Sequence, residues 1–461
     1  MPSAGTMTPA SPAKTPVDPP VLPVSPAPPA SSVAPPAAPA RTARPMPVSA
    51  TLAANEAVAA RHSRGEPVLP MGFGEAGLPA HPALREALAA ATASNAYGPV
   101  AGLAALRSAA AGYWDRRGLP TSPASVVCGP GSKALLFGLL LAAGADVAVP
   151  RPSWVSYAAQ ASMIGGRPHF IPAPPGEGGI CDPDALRAEL AAATAAGRPI
   201  RSAIMTLPDN PTGRLARPAA VQGFCEVAEE HDLIIISDEI YRDLVHDPAA
   251  PVISPAAIAP ERTVVTTALS KSFALGGWRI GVARLPEGPL GDWLRGQLVG
   301  IGSEIWSAPA APIQQAAALA FSETDDLSER VSRSRSLHAA VCRGVAKICA
   351  AAGLEVRQPE AAFYVYPDFR PWRAHLADRH GVTSSEALAG LLLDRYGVVT
   401  LPGSAFGESP GALRLRLATG LLYGDTAARQ EAALAAPDPL ALPWIADHLG
   451  RLEEVLADLA P

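Results

Sequence analysis

Two cations stand in unusual company within residues 268–281, ALSKSFALGGWRIG. Lys271 comes just after the strand-like run Thr263–Thr267, and Arg279 follows eight residues later, both among apolar residues and glycines. A lysine at the carboxyl end of a strand becomes an amine nucleophile when its pKa is lowered, and then forms a Schiff base with a carbonyl. An arginine offers a planar fork suited to phosphate. A carboxylate, Asp238, ends a second apolar run in IIISDEIYRDL, with Tyr241 three residues on. Such a carboxylate needs a cationic or N–H partner, because an unpaired buried charge is costly.

Three further stretches follow predicted strands. GPGSKAL (129–135) is a glycine-rich turn opening a helix, where free N–H groups and the hydroxyl of Ser132 suit an anion. Trp154, in RPSWVSYAA, is placed either to stack on a planar ring or to fill the core. Asn210, in PDNPTGRLA, sits in good turn chemistry and offers an amide at the sheet edge. Singly, each is ordinary punctuation or packing. Together they supply an imine-forming amine, a carboxylate, an aromatic plate, an amide donor and phosphate binders. Pyridoxal 5′-phosphate uses all of them through its aldehyde, pyridine nitrogen, ring face, phenolic oxygen and phosphate.

These residues must be held at one edge of a sheet. Short apolar runs predict strands at Ser125–Gly129, Val147–Pro150, His169–Pro172, Ile200–Leu207, Leu233–Ser237, Thr263–Thr267 and Arg279–Leu285. Helical periodicity falls between most of them. That alternation predicts an α/β domain with a mostly parallel sheet, whose ligands gather at the strand carboxyl ends. A long helix, Leu327–Ala351, then leads into shorter strands and helices that end in WIADHLGRLEEVLADLA. The expected organisation is a large domain over 76–320 and a smaller α+β domain over 321–461, joined by an N-terminal arm over 48–75. Residues 1–47 stand apart: fifteen of the first fifty residues are proline and none is aromatic, which predicts a disordered, polyproline-like leader. A transit peptide is the competing reading, with only Lys14, Arg41 and Arg44 as its basic residues.

Composition narrows the partners. Across 461 residues, 48% are hydrophobic and the net charge is −5, which disfavours nucleic acid and anionic membrane as bulk electrostatic partners. The longest apolar run, near Ala134–Ala143, falls short of the ~20 residues a membrane span needs. Five cysteines without a C-x-x-C pair and nine scattered histidines give no metal-site spacing and point to reduced thiols in a cytoplasmic protein.

From about residue 50 onward the chain resembles the class I/II aminotransferases of the fold type I pyridoxal-phosphate enzymes. The motifs come in that family's order: Gly72 to Glu75, Tyr97 with Pro99, Gly131-Ser132-Lys133, Trp154, Asn210-Pro211-Thr212-Gly213, Asp238 with Tyr241, Ser270-Lys271, Gly277-Trp278-Arg279 and Arg414. The resemblance implies a mostly parallel mixed sheet sandwiched by helices, with a smaller α+β domain beside it. It implies that Lys271 binds the cofactor as a Schiff base and shuttles a proton, and that Asp238 pairs with the pyridine nitrogen. Asn210 and Tyr241 would bind the phenolic oxygen and Trp154 would stack on the ring. Gly131, Ser132, Lys133 (through its backbone), Ser270 and Arg279 would gather the phosphate, with Tyr97 reaching the neighbouring subunit of a homodimer. Arg414 would clamp the substrate carboxylate, in preference to Arg416, and Gly74 would let the N-terminal loop approach the substrate.

The activity so implied is ping-pong transfer of an amino group between an α-amino acid and a 2-oxo acid. A lyase or an amino-acid oxidase on the same fold would use the same cofactor set. A transcriptional regulator would need a DNA-binding module, which a proline-rich leader with three basic side chains cannot form.

Overall fold

A computed structural model of the protein describes residues 48–144 and 146–461. The expected leader, residues 1–47, lies outside the described residues.

Seven strands form the main sheet: β1 (Val126–Gly129), β2 (Val147–Arg151), β3 (Pro168–Pro172), β4 (Ser202–Thr206), β5 (Ile234–Asp238), β6 (Thr263–Ala268) and β7 (Gly281–Arg284). Their order is β1-β7-β6-β5-β4-β2-β3. β7 runs antiparallel to β1 and β6, and every other pairing is parallel. Because β7 alone is reversed, its beginning lies at the edge where the other six strands end. Residues that follow β1, β2, β4, β5 and β6, and the one that precedes β7, therefore meet along one rim.

Period-two alternation decides what covers each face. Val127, Val149, Ile204, Ile236, Val264 and Ala283 point to one side, against the leucine-rich helix Ser132–Ala143 and against Leu294 and Leu298 of the helix Pro289–Ile305. Ala148, Ala203, Met205 and Ile235 point to the other, against helices Pro183–Ala195 and Pro218–Glu230. The sheet is thus buried on both faces, as the near-continuous apolar strands require.

A second, antiparallel sheet of β8 (Tyr364–Val365), β9 (Leu401–Pro402) and β10 (Leu415–Ala418) is ordered β9-β10-β8. It shares a core with the long helix Asp325–Ala351 and the terminal helix Pro443–Leu459. The segment before residue 75 joins it: Leu69–Pro70 pairs in parallel with Val398–Val399, and Ala54 and Val58 pack on Val399, Leu401 and Phe406.

One boundary differs from expectation. Arg279 does not begin the last strand; it closes the 3-10 turn Gly276–Trp278 in a left-handed conformation, φ 52°, and the strand starts at Gly281. A non-glycine residue held this way costs about 1–3 kcal/mol, a strain often found at ligand sites.

Candidate active site

The rim of the main sheet opens into a cleft of about 560 Å³. Gly74, Ser132, Lys133, Trp154, Asn210, Asp238, Tyr241, Ser270, Lys271 and Arg279 all line it.

At its floor, register places Asp238 on β5 beside Thr206 of β4 and Thr266 of β6. Asp238 is buried, accepts from Tyr157 Oη at 2.9 Å through Oδ2, and accepts from Thr266 Oγ1 at 3.3 Å through Oδ1. Tyr157 Oη also lies 2.9 Å from Thr206 Oγ1; its single proton goes to the carboxylate, so Thr206 donates to it. Burial pushes the Asp238 carboxyl up to about 6, against the pull of its two hydroxyl donors.

Lys271 follows β6 on the one-turn helix Leu269–Ser272, and its Nζ donates to the carbonyl of Gly74. Desolvation first, and then the Arg416 guanidinium, bring its pKa down to about 8. Gly74 has to be glycine here: a Cβ would run into the Tyr364 hydroxyl.

At one end stands an anion cradle. Gly131, φ 83°, precedes the helix that starts at Ser132, and a Cβ on it would collide with the Arg279 guanidinium. Gly281 carries that turn tight against the start of β7, since a Cβ there would strike the Ser132 amide. The strained backbone of Arg279 thereby aims its fork at the first turn of a helix, where amide hydrogens and the helix dipole favour an anion. Trp154 stands in the same cleft, edge-on to Tyr157 with centroids 5.3 Å apart, and Lys133 Nζ lies 5.0 Å from its ring centroid.

At the other end lies an arginine, but not the expected one. Arg416 is fully buried, donates to Asn210 Oδ1 at 3.1 Å and to the Gly72 carbonyl at 2.6 Å, and sits over the Tyr364 ring. Its Nε has no partner among the described residues. Asn210 Nδ2 donates to Tyr241 Oη at 3.4 Å, and the Tyr241 and Tyr364 hydroxyls are 2.6 Å apart.

Arg414, the residue expected to clamp the substrate carboxylate, is turned away and pairs with Asp368 at 3.0 Å and with Glu408. It stands just before β10, in an isolated antiparallel bridge with Asp368. Its amide donates to the carbonyl of Ala412 in a tight turn, and β10 begins only at Leu415. Tyr97 is 91% exposed and does not line this cleft. Gly131 contributes by backing Arg279 rather than by lining the cleft. Tyr157, Thr206 and Tyr364 belong to the site and were not singled out from sequence. Only the position of Tyr157, three residues after Trp154 on the same strand-to-helix turn, hinted at it.

The donor set fits pyridoxal phosphate. Lys133, Lys271, Arg279 and Arg416 face Glu75 and Asp238, an excess of positive charge suited to a phosphate and a carboxylate. The cradle that a Cβ at Gly131 would fill suits the phosphate, and the Arg416 guanidinium lining the other end suits a carboxylate.

Comparison with known proteins agrees. Residues 69–421 match the family described as aminotransferase class I and II. The sequence is 30% identical over 385 residues to a probable aspartate/prephenate aminotransferase of Thermus aquaticus, spanning 81% of this chain and 93% of the relative. It is 31% identical over 389 residues to an aspartate aminotransferase of Geobacillus stearothermophilus, spanning 82% and 94%. The structure is similar to an aminotransferase from Mycobacterium tuberculosis, with a TM-score of 0.75 and 25% identity over 89% of this chain and 97% of that one. It is similar also to Thermus thermophilus aspartate aminotransferase with maleate, with a TM-score of 0.74 and 26% identity over the same shares. The chain belongs to the class I and II aminotransferase family and is a pyridoxal-phosphate-dependent aminotransferase.

Proposed function

We propose that the cleft around Lys271 moves an amino group between an α-amino acid and a 2-oxo acid, with Arg416 in the role first given to Arg414. The observation that carries this reading is the convergence of Lys271, Asp238 and Arg416 in one cleft from sequence positions far apart. When bound, pyridoxal phosphate supplies an electron-withdrawing ring that accepts the electron pair left at the substrate Cα.

The chain's own residues do the rest. Lys271 holds the cofactor through Nζ and then moves a proton between the substrate Cα and the cofactor C4′. A pKa near 8 supports this, because a neutral amine is needed both to attack a carbonyl and to accept a proton. Asp238 holds a proton on the pyridine nitrogen, and that positive charge in turn favours the ionised carboxylate over the neutral form that burial promotes. Tyr157 and Thr266 orient the carboxylate. Asn210 and Tyr241 bind the phenolic oxygen, and Trp154 covers one ring face. Ser132, Ser270, Arg279 and the backbone at Lys133 bind the phosphate. Arg416 and Asn210 bind the substrate carboxylate, while Gly74 allows the N-terminal loop to close the cleft.

We further propose a homodimer in which Tyr97 serves the partner's phosphate site, supported by its exposure and by its not lining its own chain's cleft. The proposed division is an arm over 48–75, a cofactor domain over 76–320 and a small domain over 321–461. A cytoplasmic location is supported by five free, buried cysteines.

The deciding experiment is Lys271→Ala, assayed with amino donor alone and with donor plus oxo acid. Wild-type protein should give one half-turnover with donor alone and steady turnover with both, while the variant should give neither. Wild-type turnover by the variant would refute the assignment.

A further inference from the structure

The chain has a second cleft, of about 850 Å³, between the loops that follow β2 and β3 on one side and residues 354–370 and 408–414 on the other. A volume of that order suits a small organic molecule rather than a bare ion. Most charges that line it are already matched. Arg214 lies 3.2 Å from Glu360 and donates to the carbonyls of Gly176 and Gln358, tying the two walls together. Arg370 pairs with Glu355, and Glu177 pairs with Arg217 from outside the cleft. Arg414 faces two carboxylates, Asp368 and Glu408, which also accept from the Arg370 amide at 2.8 Å and from Tyr366 Oη at 2.7 Å, so one negative charge is left over on that side.

Two guanidiniums remain. Arg151, at the end of β2, and Arg357, on the opposite wall, are both exposed and have no ion pair among the described residues. Gly176, φ 90°, makes room for Arg357, whose Nη1 lies 3.2 Å from where a Cβ would stand. A planar fork on each wall suits the several oxygens of a phosphate group, and the two together leave the cleft with a small positive excess. The proline-rich wall, Pro172, Pro174 and Pro175 facing Leu354 and Val356, offers apolar surface to an organic remainder.

We propose that this cleft is an effector site for a small phosphate-bearing molecule, held between Arg151 and Arg357 and sensed at the active site through the turn Asp209–Gly213. That turn separates the two clefts: Asn210 lines the active cleft and Thr212 lines the second. Asp209 is fully buried between them. One of its carboxylate oxygens takes the Thr212 amide and hydroxyl, and the other has no partner among the described residues. Hydrogen bonds from Asp209 N to the Arg214 carbonyl and from Gly213 N to the Asp209 carbonyl make the turn one unit, so a displacement at Thr212 reaches Asn210, the residue proposed above to bind the cofactor's phenolic oxygen.

The test titrates the pyridoxal-phosphate-saturated enzyme with inorganic pyrophosphate, following heat of binding and the cofactor's visible band. One molecule should bind per chain and displace the band. Binding should weaken at least ten-fold in Arg151→Ala and in Arg357→Ala, and remain unchanged in Arg416→Ala. Both cleft arginines are exposed, so their removal leaves the fold intact. The site is refuted if wild type binds no pyrophosphate, if both cleft variants bind it normally, or if Arg416→Ala abolishes binding. Binding without a band shift overturns the coupling.

Discussion

The guanidinium of Arg416 donates to Asn210 Oδ1 at 3.1 Å, linking the arginine proposed to bind the substrate to the amide proposed to bind the cofactor. Bound substrate and cofactor would therefore report on each other through one hydrogen bond. Arg416→Ala should raise KM for both amino donor and oxo acid by roughly 10²-fold or more, the effect of leaving a buried carboxylate unpaired. Arg414→Ala should leave both KM values within about three-fold, as expected for a residue outside the cleft. Steady-state kinetics on the two variants decide between them; the reverse pattern would restore Arg414 as the clamp.

Tyr157 donates to Asp238 at 2.9 Å, and on the proposed mechanism would act on the reaction through that carboxylate. Tyr157→Phe keeps the ring that packs against Trp154 and removes one hydrogen bond to the carboxylate, worth about 1.5–3 kcal/mol to a charged acceptor. We expect kcat to fall roughly ten- to hundred-fold, with KM changed much less, and the cofactor's visible band to titrate at a different pH. A kcat equal to wild type would mean that Thr266 alone suffices.

Attachment of the cofactor to Lys271 should depend on pH in a definite direction. A pKa lowered to about 8 leaves roughly a tenth of the amine neutral at pH 7, against less than a thousandth for an unperturbed lysine. The reattachment rate of pyridoxal phosphate to the apoenzyme, followed by absorbance, should rise with pH up to about 8 and then level. Since Arg416 contributes to the lowering, Arg416→Ala should move that inflection upward. An inflection near 10 in wild type would contradict the desolvated environment assigned to Lys271.

Gly74 and Tyr364 should be coupled in stability. Gly74→Ala forces a methyl group onto the Tyr364 hydroxyl, an overpacking that costs about 1–3 kcal/mol. In a Tyr364→Phe background most of that penalty should vanish. Chemical denaturation of the two single variants and the double variant gives the coupling energy; additive losses would show that the contact is not the cause.

Much of the site was legible from the chain alone. Lys271, Asn210, Trp154 and Ser132 follow apolar strands and Asp238 ends one, and a sheet whose parallel strands end at one rim must bring such residues together. The strand and helix pattern was legible for the same reason: burial on both faces imposes apolar runs, and those runs are local.

Long-range contact and chain direction were not legible. The reversal of β7 brings Arg279 to the rim, and its left-handed backbone, unforeseen in the strand pattern, aims it at Gly131. Tyr157 meets Asp238 across 81 residues and Tyr241 meets Tyr364 across 123, separations at which no periodicity carries information. The two arginines illustrate the limit most sharply. Alternation puts residues 414 and 416 on the same side only within a strand. Arg414 stands at the mouth of the strand, bridged to Asp368, and the turn at Ala412 with the carboxylates of Asp368 and Glu408 holds it in the second cleft, while Arg416 lines the first. Sequence determined which chemical groups the active cleft would contain; the tertiary structure decided which arginine lines it, because that choice depends on partners distant in the chain.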